Sequence, residues 1–172
     1  MDNIDLAYIA GVMDSDGYIT IKCSTYNIRK TKDSKNPVFY ERVGIKQVQP
    51  EAIKFIYDNF GGYYHIEKPS TKNGKPLYSL QLTNLKAFNF IKAIYPFLRI
   101  KIKQADIIFK LRECINKGKT QKTKSIQKDR WNNLTEFNRY SVAQEDIETK
   151  KKLYFEIKAL NDSHYKFYIP KF

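Results

Sequence analysis

Asp14 and Asp16 are the residues best suited to chemistry in this 172-residue chain. Two carboxylates one residue apart supply hard oxygen donors of the kind that hold Mg²⁺ or another divalent cation. Their setting adds to the signal. The run Leu6-Ala7-Tyr8-Ile9-Ala10-Gly11-Val12-Met13-Asp14 is apolar and reads as a helix. Ser15-Asp16-Gly17 follows, and two-residue alternation starts at Tyr18. A helix C-terminus leaves carbonyl oxygens unpaired and carries partial negative charge, so acids there work against the helix dipole. A cation seated at that end relieves the conflict. The other metal-binding residue types offer less. Cys23 and Cys114 have no ligand spacing, and His65 and His164 are isolated.

The surrounding pattern predicts the elements that hold these acids. Asn3 is a helix N-cap, Asp5 sits in the first turn, and the helix runs to about Asp14, apolar on nearly all sides and therefore buried. Gly17 suits the left-handed position that ends a helix. A strand from Tyr18 to Tyr26 and a second from about Phe39 to Gln47 flank a polar tip. Pro50 to Phe60 is an amphipathic helix, with Pro at its start and Gly61-Gly62 at its end. Strands from about Tyr63 to Lys68 and Leu77 to Thr83 enclose the hairpin signal Asn73-Gly74. Asn84 caps a helix to about Ile94, Pro96 interrupts, and another helix runs from about Ile100 to Asn116. The predicted fold class is α+β, in the order αββαββα, with one antiparallel sheet and helices on one side. Beyond this core of about 4–116, the residues 117–130 read as a basic loop and 131–140 as a short helix. Glu145 to Leu160 reads as a helix burying Ile147, Leu153, Ile157 and Leu160, and an aromatic tail closes a single domain of residues 1–172.

A formal net charge of +13 names a polyanion as the partner of this surface. No run approaches the ~18 apolar residues of a membrane span. Two distant cysteines form no disulfide framework, which points to a reducing compartment. The polar strand face supplies most of the candidates for base or phosphate contact: Lys22, Ser24, Tyr26, Tyr40, Arg42, Lys46, Lys68, Ser79 and Gln81. Lys30, Lys72 and Lys75 join them from loops or strand ends.

The segment ending Asp14-Ser15-Asp16-Gly17 resembles the LAGLIDADG motif of homing endonucleases. Two weaker segments agree with it, Ile45-Lys46-Gln47-Val48-Gln49-Pro50-Glu51 and Tyr95-Pro96-Phe97-Leu98-Arg99-Ile100-Lys101. The resemblance implies a saddle-shaped sheet and a catalytic set of Asp16, Gln47 and Lys101. Asp16 would hold divalent metal, Mg²⁺ being the natural choice, with the carbonyl of Ser15 as a second ligand. Gln47 would position water, with Gln49 as its rival, and Lys101 would balance charge at the scissile phosphate. Ser15 departs from the small residue usual there but stays small. Asp14 caps or pairs with a neighbouring helix.

A single copy of the motif implies a homodimer through the Leu6–Asp14 helix, with two Asp16 carboxylates at the symmetry axis of the DNA. The implied activity is site-specific double-strand cleavage of a long, near-palindromic duplex by an intracellular protein of intron or intein origin, organellar sources included. An RNA-binding protein of the maturase kind and a non-cleaving DNA-binding regulator are the alternatives on the same fold.

Overall fold

The computed structural model describes residues 1–24, 37–69, 74–118, 122–128, 134–140 and 144–162. Helix α1 (Asn3–Asp16) leads into strand β1 (Gly17–Ser24) and strand β2 (Val38–Gln47). Helix α2 (Pro50–Phe60), strands β3 (Tyr63–Glu67) and β4 (Leu77–Thr83), and helix α3 (Asn84–Ile94) repeat the unit. A 3₁₀ turn (Tyr95–Phe97) leads to helix α4 (Ile102–Gly118). The strands form one antiparallel sheet in the order β1-β2-β4-β3. This is the predicted α+β, αββαββα architecture.

One sheet face is apolar because alternation places Ile19, Ile21, Val43, Ile45, Leu80 and Leu82 on the same side, all buried. Against it pack Ile9, Ala10 and Met13 of α1, Ile53 and Ile56 of α2, and Phe90, Ile91 and Ile94 of α3. The same face carries an ion pair. Glu41 of β2 is fully buried, and Arg112 of α4 reaches it at 2.6 Å (Nη2 to Oε2). The Arg112 guanidinium also lies 5.3 Å from the centre of the Phe88 ring.

Several local expectations change. The N-cap of α1 is Asp2, not Asn3. Its carboxylate accepts from the Asp5 N–H at 2.9 Å and Asp5 answers with the Asp2 N–H at 3.3 Å, a reciprocal capping box. The helix runs on to Asp16, so both acids lie in its last turn. Gly17 is extended (φ −89°), not left-handed. A Cβ there would lie 2.8 Å from the Met13 main-chain carbonyl oxygen, which cannot swing aside as the Met13 side chain could, so close approach favours glycine. Nor is α1 buried all round. Ile4 and Tyr8 are 79% and 52% exposed, and a Cβ on Gly11 would meet nothing. Apart from the Tyr8–Phe55 ring contact, its second apolar face is left largely exposed among the described residues. Thr83, not Asn84, is the N-cap of α3, and Asn84 itself has φ +54°.

The region after α4 differs most. Strands β5 (Lys122–Lys128) and β6 (Leu134–Tyr140) pair antiparallel, Lys122 opposite Tyr140, where a basic loop and a short helix were expected. Thr123, Ile126, Thr135, Phe137 and Tyr140 are good strand formers that the density of lysine obscured. Helix α5 (Gln144–Asn161) then packs on α4 and β1. It buries Ile147, Leu153 and Ile157, whereas Leu160 is 41% exposed near its end. No described helix is long and apolar enough to cross a membrane.

Candidate active site and nucleic-acid face

The two acids of α1 face different partners. The Asp14 carboxylate accepts three backbone N–H groups from the segment leading into α4. Arg99 and Ile100 donate to Oδ2 at 2.7 and 3.1 Å, and Lys101 donates to Oδ1 at 3.0 Å. These donors precede the N-terminus of α4, where unpaired N–H groups and the helix dipole favour an anion. Asp14 thus joins the end of one helix to the start of another. The Lys101 ammonium closes the contact by donating to the Asp14 main-chain carbonyl. The acid that opposes the dipole of its own helix complements that of α4, and it needs no cation for this.

Asp16 is exposed, and among the described residues one side-chain hydrogen bond holds it. Gln47, the last residue of β2, donates from Nε2 to Asp16 Oδ2 at 2.7 Å. The pairing follows from the fold. Gly17 lies opposite Ile45 in the β1–β2 ladder, which brings the end of β2 past the end of α1. Gln49 does not share this position. The strand stops at Gln47, and Gln49 becomes the N-cap residue of α2. It still lines, with Asp16, Lys46, Gln47 and Lys75, an open cavity of about 500 Å³. Burial pushes the Lys101 pKa down, and the charges of Asp14 and Asp16 pull it back up. The Lys101 ammonium, held on the Asp14 carbonyl, thus sits two residues from Asp16 along the end of α1. Among the described residues no three His, Cys, Asp or Glu side chains cluster as a metal site.

The opposite sheet face is a polar lattice. Tyr18, Gly44, Gln81 and Tyr63 form one row across the four strands; Thr20, Arg42 and Thr83 form the next. Lys22 lies beside Tyr40, and Lys46, Ser79 and His65 form a further row. Ser24 ends the face opposite Val38. Arg42 Nη2 donates to Gln81 Oε1 at 2.5 Å, and the guanidinium lies 6.0 Å from the centre of the Tyr18 ring. Gly44 leaves room for that ring, because a Cβ there would overlap it.

The sequence candidates Lys22, Ser24, Tyr40, Arg42, Lys46 and Gln81 share this face. Lys68 and Lys75 are exposed beside it in the β3–β4 connection. Tyr26, Lys30 and Lys72 lie outside the described residues. Ser79 departs from expectation: it sits on the polar face but is fully buried, its Oγ without a hydrogen-bond partner among the described residues. Lys46 and His65 flank it across the ladders, and Glu67 lies two residues beyond His65 on the same face. Glu67 takes Lys46 at 2.7 Å and His65 at 3.2 Å on the same Oε1. Glu67 escaped the sequence reading and His65 was weighed there only as a metal ligand, although the alternation of β3 (Tyr63, His65, Glu67) would have placed both here.

This element order, sheet order and helix end define the LAGLIDADG homing endonuclease fold. The chain superposes on I-Vdi141I, an archaeal intron-encoded homing endonuclease solved with DNA, with a TM-score of 0.65 and 16% identity over 98% of this chain and 91% of that one. It superposes on I-CvuI, solved with the uncleaved I-CreI target in Mg, with a TM-score of 0.62 and 15% identity over 93% and 83% of the two chains. The homing endonuclease I-TnaI gives 0.53 and 12% over 91% and 92%. At these identities the likeness establishes the fold. No family model and no curated protein matches the sequence.

Proposed function

We propose that the chain is a homodimeric, divalent-metal-dependent endonuclease that cuts both strands of a specific DNA duplex. The observation that carries this reading is the placement of an exposed carboxylate, Asp16, against the Gln47 amide at the same helix end where the partly buried Lys101 ammonium is held on the Asp14 carbonyl. This group lies at the end of a polar sheet face in a chain of net charge +13. DNA-bound solved structures of the same fold, I-Vdi141I and I-CvuI, support double-stranded DNA as the partner.

The donor set fits Mg²⁺. Gln47 takes Asp16 Oδ2, so Oδ1 remains for a cation, and the last carbonyls of a helix, that of Ser15 among them, have no intrahelical donor. Mg²⁺ keeps several waters and needs only one or two carboxylates, so Asp16 from each of two chains would suffice. The exposed face of α1, Ile4, Tyr8 and Gly11, offers the surface on which a second copy would bring the two Asp16 residues together. When bound, the metal would lower the pKa of attacking water and neutralise charge on the phosphate oxygens.

The chain's own groups do the rest. Gln47 fixes the Asp16 carboxylate through its N–H and has its carbonyl oxygen left to accept from the attacking water. Lys101, as ammonium, offsets charge that builds on the scissile phosphate. Lys22 and Arg42 hold the duplex along the sheet, chiefly through its phosphates, while Tyr40 and Gln81 reach base edges.

The test is enrichment of a randomised duplex pool by binding, followed by incubation of the enriched DNA in Mg²⁺ or in EDTA. Double-strand breaks at one position in Mg²⁺ alone are expected. Binding without breaks would leave a DNA-binding regulator, and preference for RNA over the duplex pool would favour the maturase-like alternative.

A further inference from the structure

Among the described residues of β1 to β4, Glu67 is the only acid on the polar sheet face. A carboxylate there repels phosphate and weakens attachment to any duplex, so it is no backbone contact. It is also held firmly. Lys46 Nζ lies 2.7 Å from Oε1 and 2.9 Å from Oε2, and His65 Nε2 lies 3.2 Å from Oε1. These contacts hold the Glu67 pKa below the ordinary carboxylate range, so it stays ionised at neutral pH. Lys46 and His65 lie on either side of the fully buried Ser79 in the strand ladders, so the cluster starts from adjacent positions of the sheet. Glu67 Oε2 has one donor where Oε1 has two, and the side chain remains 30% exposed. An acceptor therefore faces the ligand in a fixed place beside a donor.

We propose that Glu67 and Lys46 form a specificity pair that reads one C·G base pair in each half-site. The inference rests on the DNA-binding reading above. In the major groove a carboxylate can pair only with an exocyclic amine. Cytosine presents N4–H₂ with no acceptor at its major-groove edge, whereas adenine presents N6–H₂ beside the N7 lone pair, which repels an anion. Guanine offers O6 and N7, both acceptors, which suit Lys46. The two side chains, two strands apart and already joined, thus present the acceptor and donor that a cytosine and its guanine require. Because they are ordered before binding, little side-chain freedom is lost on contact.

The experiment enriches a randomised duplex pool with the wild-type full-length chain, Glu67→Gln and Lys46→Met, and compares base preference position by position. Wild type should favour cytosine at one position per half-site by ~10-fold or more, the scale of one good base contact. Glu67→Gln should lose that preference and gain adenine there, since glutamine matches N6 and N7 of adenine. Lys46→Met should weaken selection of the same base pair, and the other positions should be unchanged. If Glu67→Gln instead binds every sequence more tightly by one uniform factor, with base preferences intact, Glu67 is only a charge mask and the proposal fails. Failure of the wild type to bind any duplex would overturn the DNA reading itself, and it would show before any variant is made.

Discussion

Replacing Asp14 and Asp16 one at a time by asparagine should separate a structural acid from a catalytic one. Asp14 accepts three N–H groups, two on Oδ2 and one on Oδ1. Asparagine keeps one acceptor oxygen and turns the other into a donor. One bond is then lost and two become neutral. Hydrogen bonds to charged groups contribute about 1.5–3 kcal/mol and neutral ones about 1. One loss and two downgrades amount to about 4 kcal/mol when buried, and the partial exposure of Asp14 reduces this to roughly 2. For a domain of this size that corresponds to a fall in Tm of about 4–8 °C. Asp16 is exposed and accepts one hydrogen bond. Removing its charge also relieves the conflict with the α1 dipole, an effect of about 0.3–1 kcal/mol. Asp16→Asn should therefore stay within about 0.5 kcal/mol of wild type, the usual range for surface substitutions. Urea denaturation at pH 7 reads both values. Equal midpoints for Asp14→Asn and wild type, or a larger loss from Asp16→Asn, would refute the division of roles.

Two further predictions concern charged groups. Burial lowers the Lys101 pKa, so cleavage should decline on the alkaline side at a pH below the ordinary lysine range. The folded state binds this proton less tightly than the unfolded chain, so Lys101 costs stability below its lowered pKa and the cost fades as pH rises through it. Lys101→Met should be inactive, and because relief of the burial cost is set against loss of the hydrogen bond to the Asp14 carbonyl, its stability at neutral pH should stay within about 1 kcal/mol of wild type; a flat rate profile to pH 10 contradicts the assigned charge role. The buried Glu41–Arg112 pair gives the other. Arg112→Met leaves a fully buried carboxylate unpaired and should cost about 3–5 kcal/mol in denaturant unfolding. Glu41→Leu combined with Arg112→Met should recover most of that loss, and additive losses would contradict the pairing.

The sheet and its helices were legible because strict alternation in β1, β2 and β4 and helical spacing in α2 and α3 each agree with one burial pattern. Residues distant in sequence decided the rest. Asp14 looked like an acid at the wrong helix end because its three donors lie 85 to 87 residues away. Alternation alone puts Gln47 and Gln49 on one strand face; the strand stops at Gln47, which meets Asp16, and Gln49 becomes the N-cap residue of α2. The apolar run in α1 reads as a buried helix, whereas only Ile9, Ala10 and Met13 are fully buried in its own core. In β5 the lysines drew the reading towards a solvated loop, although Thr123 and Ile126 favour a strand. Glu41 escaped notice because its cation arrives from α4.

The central claim is that Asp16 serves cleavage rather than folding or binding. Double-strand cutting of the enriched duplex in Mg²⁺, measured for wild type and Asp16→Asn at equal DNA occupancy, tests it most directly. Linear product from wild type, with intact DNA from a variant that binds equally well, is the predicted result. Equal cutting by Asp16→Asn would contradict it.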